Sequence, residues 1–362
     1  MLIIPFASCT NKKKTLNKEE KIKNNCEQAL KYEKGDGVEK NLKISSEFVK
    51  KSCDLNYQKA CVELGNRYLQ SIGLKKNINI ANKLFKKACD LNEESGCHFL
   101  GYNYERGIGF SISSKNANIY YKKACDSNYG ISCHNLGYNY DHGRGIKQNI
   151  EKANKLYKKS CNLKEAQGCF RVGYNYQYSR GYEKNIGKTK IYYEKSCDLG
   201  FGDACSFLAK IYKKNNKKAL SLYQKGCDLN SDDACMSLYI IYKKGKDIKK
   251  ANKFLEKSIK ILKSSCNNFN QPRQCNDLGY IYLTKAFGKK NLKKAFNKFK
   301  KACDLNFADA CVSVATMYYL GKYVKKDIEK SKELHQKACK LGDKKSCKML
   351  KEGIKNEKQH SK

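Results

Sequence analysis

The chain has 362 residues, of which 40% are hydrophobic and 30% charged, and its 26 tyrosines and 14 phenylalanines can supply a packed core. This composition excludes an intrinsically disordered chain, and with two prolines it also excludes collagen-like and proline-rich proteins. The formal net charge of +39 is carried by 74 basic residues, of which six are arginine. Since recognition of phosphates and base edges favours arginine, we expect no nucleic-acid partner, and the lysines predict attraction to an acidic or envelope-associated partner.

The first residues of the chain indicate a lipid anchor. Phe6-Ala7-Ser8 before Cys9 resembles the end of a lipoprotein signal, in which Cys9 would be the lipidated residue. We interpret residues 1–9 as a truncated signal of this kind and 10–20 as a linker; an accidental apolar start is the alternative. No segment has 18 consecutive apolar residues, so we expect contact with a membrane only through this lipid anchor.

The 20 cysteines have a regular spacing. Eight pairs follow the pattern C-x7-C and one follows C-x8-C, and the first members recur every 36 residues from Cys53 to Cys197. A period of this length indicates stacked supersecondary units. The pairs are Cys53/Cys61, Cys89/Cys97, Cys125/Cys133, Cys161/Cys169, Cys197/Cys205, Cys227/Cys235, Cys266/Cys275, Cys303/Cys311 and Cys339/Cys347.

Each period predicts two amphipathic helices, here called helix A and helix B. After the second cysteine of a pair, helix A has an apolar residue at +3, a small one at +4 and an aromatic one at +7, as in Leu100-Gly101 and Tyr104. These offsets lie on one helical face, and the glycine allows a neighbouring helix to approach closely. A glycine-rich turn leads to helix B, which ends at the first cysteine of the next pair, as in Ala117, Tyr121 and Cys125.

Two regions depart from this pattern. Ala251 lies 15 residues before Cys266 where eight is the rule, so we expect a helix B about two turns longer there. The last helix has Lys351 at +4, which predicts a solvated cap, and residues 351–362 read as a basic tail.

The motifs L-G-x2-Y, G-x-G and A-x3-[FY]-x-K-A at this period resemble Sel1-like repeats, which are relatives of tetratricopeptide repeats. The C-x7-C in each unit is similar to the Helicobacter cysteine-rich protein family. The resemblance implies an all-α, right-handed superhelical solenoid of disulfide-linked Sel1-like hairpins over residues 21–350. It also implies a periplasmic or secreted protein, which the lipid anchor would hold at the outer membrane, and a β-lactamase or penicillin-binding activity.

The resemblance implies that the cysteine pairs are disulfides, and their spacing argues against zinc. Zinc sites favour C-x2–4-C with a second pair nearby. Here the spacing is seven or eight and no histidine recurs with it, so we expect nine disulfides, no metal, no cofactor and an oxidising compartment. Cys26 is left over and is expected to be a reduced thiol in an N-terminal cap.

The family-implied β-lactam chemistry has no motif in the chain. Serine enzymes of this class use S-x-x-K and K-T-G, and neither occurs. The equivalent residues His98 and His134 are expected to be a surface pair. The catalytic residues are therefore unassigned, and hydrolysis or binding of a β-lactam or peptidoglycan-derived ligand stays as the alternative function.

The helix A surface supplies the first hypothesis, a scaffold that binds a protein or peptide. Offsets +5 and +6 point away from the predicted core, and Tyr-Asn recurs there in three consecutive repeats. We predict that these side chains line the concave face; copying of neutral residues by repeat duplication is the alternative. The predicted binding residues are Arg67, Tyr102, Asn103, Arg106, Tyr138, Asn139, Tyr174 and Asn175.

Overall fold

The structure, a computed structural model, describes residues 16–212, 217–268, 271–283 and 291–359. All regular secondary structure within these ranges is α-helical. The expected signal and Cys9 lie outside the described residues. The helices are α1 (Leu16–Lys34), α2 (Leu42–Asp54), α3 (Gln58–Gln70), α4 (Ile78–Asp90), α5 (Glu94–Arg106), α6 (Ser114–Asp126), α7 (Gly130–His142), α8 (Ile150–Asn162), α9 (Ala166–Gln177), α10 (Ile186–Asp198), α11 (Gly202–Ile211), α12 (Lys217–Asp228), α13 (Asp232–Lys244), α14 (Ile248–Asn268), α15 (Pro272–Leu283), α16 (Leu292–Asp304), α17 (Ala308–Leu320), α18 (Ile328–Lys340) and α19 (Lys344–Gln359).

Odd-numbered helices are the predicted A helices and even-numbered ones the B helices, which confirms the solenoid of hairpins. Local sequence sets their ends: Asn77 caps α4 by accepting a hydrogen bond from the backbone N–H of Ile80 at 3.0 Å. At the other end, Gly107 ends α5 with a φ of 69°, a left-handed conformation that glycine adopts without strain. The chain divides into two compact units, Met1–Ala204 and Cys205–Lys362, which are described separately below.

The predicted irregular region is confirmed, because α14 has 21 residues where most other B helices have 13. The expected domain boundaries stay a prediction, and two terminal helices extend across them. Helix α1 begins at Leu16, inside the segment expected to be a linker, and α19 continues to Gln359, inside the expected tail.

Within the described ranges, five hairpin cores are built where a helix A glycine meets a helix B ring, a close approach of the kind that the glycine predicts. A Cβ added at Gly101 would lie 2.7 Å from Cδ1 of Tyr121, so any side chain here would push the helices apart. Gly137 meets Tyr157 and Gly279 meets Phe299 in the same way. The rings that face these glycines are fully buried in both units and supply a large apolar contact area.

Within each of the two units, disulfides join B helices to the A helices that follow them. Most of the bonded cysteines are buried in the cores, Cys339 and Cys347 are half-buried, and the Cα atoms of the bonded pairs are 4.5–4.8 Å apart. The described pairs are Cys53–Cys61, Cys89–Cys97, Cys125–Cys133, Cys161–Cys169, Cys227–Cys235, Cys266–Cys275, Cys303–Cys311 and Cys339–Cys347. Cys197 and Cys205 are disulfide-bonded as well, and Cys26 is a buried thiol of α1. So many disulfides indicate an oxidising environment.

Candidate functional site

The asparagines at offset +6 are buried, which corrects the prediction that they line a groove. Asn103, Asn139 and Asn175 are each at most 1% exposed. The prediction was wrong because it assumed that helix A has a single buried face. Helix A packs against helix B of its own repeat and also against helix B of the preceding repeat. Offset +6 therefore faces the preceding repeat instead of solvent.

These asparagines form a relay that recurs in three repeats. The Nδ2 of Asn139 donates to Oδ1 of Asn118 on α6 at 2.7 Å, and the Nδ2 of Asn118 donates to the backbone carbonyl of Arg144 at 2.8 Å. Asn103 and Asn175 make the same bonds, at 2.6 Å, to Asn82 and Asn154. The relay therefore fixes the turn after each A helix, including the turn that carries Arg144.

Arg67, at the equivalent position in the preceding repeat, is also buried, so its assignment to a binding surface is wrong as well. Its side chain is 1% exposed, and its Nη2 lies 2.6 Å from Oε2 of Glu33. Its Nε donates to Oε1 of Glu63 at 2.8 Å, and its Nη1 donates to Oγ of Ser45 and Ser46. A buried guanidinium needs such partners, and here they tie α1, α2 and α3 together.

The tyrosines at offset +5 remain accessible. Tyr102 is 39% exposed, and Tyr138 and Tyr174 are half-buried on α7 and α9. Neighbouring A helices contact one another on this side of the first unit: Nδ1 of His98 lies 2.9 Å from Oγ of Ser132, and Arg171 of α9 lies over the ring of Tyr138. Together with three arginines of the same repeats, these tyrosines define what we call the Tyr–Arg surface: Tyr102, Arg106, Tyr138, Arg144, Arg171 and Tyr174.

Arginine side chains stack on the rings of this surface. The Cζ of Arg106 lies 5.7 Å from the centroid of Tyr102. The guanidinium groups of Arg144 and Arg171 lie 4.9 and 5.4 Å from the centroid of Tyr138, and the His142 ring stacks on the same tyrosine at 4.0 Å. These distances are those of cation–π contacts. The sequence analysis missed Arg144 and Arg171, although arginine in a lysine-rich chain was a signal for them.

His98 and His134 are buried rather than a surface pair, which corrects the sequence-based expectation. Their rings pack against Tyr121 and Tyr157 of the B helices. Burial lowers the pKa of each histidine from 6.5 to about 4, and the charge of Arg171 adds to the effect on the pKa of His134. Both imidazoles are therefore neutral at physiological pH, and they act as packing groups.

Serine, histidine and aspartate meet in the second unit, beside a cavity of about 450 Å³, but without the geometry of a catalytic triad. Nδ1 of His335 lies 2.9 Å from Oγ of Ser346, and Oδ1 of Asp343 accepts from the backbone N–H of Ser346 at 2.6 Å. In a triad the histidine lies between the other two groups. Here Asp343 caps α19 and contacts Ser346, whose side chain is almost fully buried.

A further cavity of about 500 Å³ lies between α4, α5 and α6. Its wall contains Tyr104, which stacks on Phe110 at 4.0 Å and on Tyr120 at 5.6 Å. A similar stack recurs two repeats later at Tyr176, Tyr182 and Tyr192. The recurrence assigns these rings to repeat packing. Within the described ranges, no group of three or more His, Cys, Asp or Glu side chains could hold a metal ion, and no helix is long and apolar enough to span a bilayer.

An all-helical array of disulfide-linked hairpins with an accessible tyrosine on successive A helices defines a repeat scaffold. The chain belongs to the Sel1 repeat family. The family model, described as Sel1 repeat, matches residues 23–57, 58–93, 95–129, 130–164, 166–201, 203–231, 275–307 and 308–343. The unmatched stretch 232–274 contains the lengthened helix α14.

Solved structures show the same fold. The protective antigen c5321 of uropathogenic Escherichia coli, described as displaying an SLR fold, is 24% identical over 92% of this chain and 71% of its own, with a TM-score of 0.56. A Sel1 repeat protein from Oxalobacter formigenes is 24% identical over 65% of this chain and 98% of its own, with a TM-score of 0.59.

Cysteine rich protein B of Helicobacter pylori is 36% identical over 37% of this chain and 96% of its own, with a TM-score of 0.31. The search of curated proteins gives no match. None of the three structures is described as a β-lactamase.

Proposed function

We propose that this protein is an extracytoplasmic scaffold that binds an extended segment of a partner protein across the Tyr–Arg surface. The observation that carries the proposal is the recurrence of an accessible tyrosine at the same register on α5, α7 and α9. Tyrosine supplies a large contact area at low cost in side-chain entropy, which is why it is common in binding surfaces. Sel1 repeat proteins generally bind proteins, which supports the same function.

The repeat geometry suits a segment in extended conformation. Packed neighbouring helices lie ~8–10 Å apart, and an extended chain rises ~3.3 Å per residue, so about three residues of a ligand would span one repeat. A segment of nine or ten residues, on the order of three such spans, would meet all three tyrosines. The buried asparagine relay supports this mode of binding, because it holds the A helices in register without any help from a ligand.

The disulfides and the first residues of the chain support the proposed location. Disulfides persist in the periplasm and in secreted proteins. We include in the proposal that Cys9, with Phe6-Ala7-Ser8 before it, is lipidated and holds the protein at the outer membrane. The hydrolysis of β-lactams has no observation in its favour among the described residues, so we propose binding alone.

The proposal is tested with a displayed library of random twelve-residue peptides selected on the purified, oxidised protein. We expect the wild-type protein to enrich a family of related peptides. The triple variant Tyr102→Ala, Tyr138→Ala, Tyr174→Ala should lose this enrichment while keeping its helical circular dichroism.

The matched control is Tyr280→Ala in the second unit. Tyr280 occupies the same +5 offset after Cys275 and is 48% exposed, but it lies outside the Tyr–Arg surface. Enrichment by the control and not by the triple variant supports the proposal. Failure of the wild-type protein to enrich any peptide family, or equal enrichment by the triple variant, contradicts it.

A further inference from the structure

Three of the six arginines of the chain lie on the Tyr–Arg surface, and they differ from the others in their partners. Arg67, Arg180 and Arg273 pair with carboxylates of Glu33, Asp141 and Asp277. Within the part of the chain that the structure describes, Arg106, Arg144 and Arg171 make no ion pair, and their recorded contacts are with tyrosine rings. The surface therefore presents guanidinium groups whose charge no carboxylate of the described residues neutralises in an ion pair.

A guanidinium in a cation–π contact keeps N–H donors for other partners. A guanidinium that lies over a ring uses its flat face, while its N–H groups point outward in the plane of the group. Arg144 and Arg171 both stack on Tyr138, from the turn after α7 and from α9. Two guanidinium groups beside one tyrosine are suited to binding carboxylates, because arginine binds a carboxylate through two parallel hydrogen bonds.

One nearby acidic group, in α7, is already paired. The nearby carboxylate of Asp141 is 3% exposed, and its Oδ1 accepts from Nη2 of Arg180 at 2.6 Å. The backbone of Arg144 is held by the buried relay, since its carbonyl accepts from Nδ2 of Asn118. The arginine is thus anchored at its backbone and stacked at its side chain, which lowers the entropy lost when a ligand binds.

We infer that the segment bound at the Tyr–Arg surface is acidic, with aspartate or glutamate carboxylates paired to Arg144 and Arg171 beside Tyr138. This inference rests on the proposed function and names the chemistry of its partner. The charge of the 68 lysines, the 74 basic residues less six arginines, is spread along the chain, so it does not by itself select a site. The arginines at Tyr138 add a local, directional element to that general attraction.

The test compares two charge reversals of equal size in the same library selection. One variant carries Arg144→Glu and Arg171→Glu, and the matched control carries Lys155→Glu and Lys158→Glu, two exposed lysines of α8. We expect the wild-type protein and the control to enrich peptides rich in aspartate and glutamate, and the arginine variant to enrich lysine or arginine at the same positions. Binding of the best acidic peptide should fall at least about tenfold in the arginine variant, because charge-assisted hydrogen bonds are lost.

Since Arg171 is half-buried, circular dichroism and disulfide mapping must show that the Arg144→Glu, Arg171→Glu variant folds. The variants Arg106→Glu and Arg144→Gln, both at exposed positions, provide milder versions of the test. Enriched peptides without a preference for acidic residues would overturn this inference and leave the proposed function intact. A labelled single-stranded oligothymidine that binds more tightly than the best acidic peptide would overturn it in favour of nucleic acid. Failure to enrich any peptide contradicts the proposed function itself.

Discussion

The side-chain amide of Asn103 donates a hydrogen bond to Oδ1 of Asn82 at 2.6 Å, across the boundary between two repeats. Asn82 in turn donates to the backbone carbonyl of Ile108 at 2.9 Å, in the turn that follows α5. One pair of buried amides therefore joins an A helix, the preceding B helix and a loop. The neighbouring residue in sequence, Tyr102, is presented to solvent because Asn103 is held in the core.

The first prediction is that this relay contributes to stability. Asn103→Ala leaves Oδ1 of Asn82 buried without its donor, so the free energy of unfolding should fall by ~1–3 kcal/mol. Urea unfolding followed by circular dichroism measures the change. The control is Asn24→Ala, at an exposed position of α1, which should change the free energy by less than ~0.5 kcal/mol. Equal stability of the two variants would show that the relay is dispensable.

The second prediction concerns two adjacent lysines of α6. Nζ of Lys123 donates to the backbone carbonyl of Cys89 at 2.8 Å, at the C-terminal end of α4, whereas Lys122 pairs with Asp126 on the surface. A cation at a helix C-terminus stabilises its unpaired carbonyls. Lys123→Met should therefore cost about 1 kcal/mol in urea unfolding, and Lys122→Met less than ~0.5 kcal/mol. A larger loss for Lys122→Met would contradict this assignment.

The third prediction is that the folded chain loses stability in acid through His98 and His134. Their folded pKa values of about 4 lie below the ordinary value of 6.5, so the unfolded chain takes up protons first as the pH falls. The neutral rings contribute fully to the free energy of unfolding above pH ~6.5. By pH ~4 the free energy of unfolding has fallen by on the order of 3 kcal/mol per histidine. Between pH 8 and 4, the melting temperature of the double variant His98→Gln, His134→Gln should fall less steeply than that of the wild type. The exposed His142→Gln serves as the control, and parallel curves for all three proteins would refute the prediction.

The fourth prediction concerns the disulfides, which close short loops between adjoining helices. Cys125 and Cys133 are eight residues apart, and replacing both by serine should lower the free energy of unfolding by ~2–3 kcal/mol in the chain-entropy model. Peptide mapping without reduction should recover 53–61, 89–97 and their equivalents. Cross-links between distant repeats would be incompatible with the hairpin arrangement.

The fifth prediction addresses the proposed anchor at Cys9. In the native host, with whatever export signal the full gene supplies, Cys9→Ser should move the protein from the membrane fraction to the soluble fraction. Immunoblots of the two fractions measure the shift, and Cys26→Ser is the matched cysteine control. Unchanged fractionation of Cys9→Ser would indicate a secreted protein or retention by another surface.

The sequence predicted those features of the fold that depend on the spacing of residues along the chain. The spacing of the cysteines predicted the hairpins and the disulfides, and the glycine at +4 predicted the close approach of a neighbouring helix, which the structure shows to be the one that carries Tyr121. The 15 residues between Ala251 and Cys266 predicted the extended helix α14. Each of these depends on spacing along the chain, which the sequence contains directly.

The tertiary structure decided which polar residues form a surface. The Tyr-Asn pairs at +5 and +6 are adjacent in sequence, yet Tyr102 is accessible and Asn103 is buried. Arg144 and Arg171 are far apart in the chain and meet only because α7 and α9 lie side by side. A sequence period determines the faces of an isolated helix, whereas a helix in a solenoid is covered from two sides, and only the packing of the neighbouring repeats determines how much of its polar face remains in contact with water.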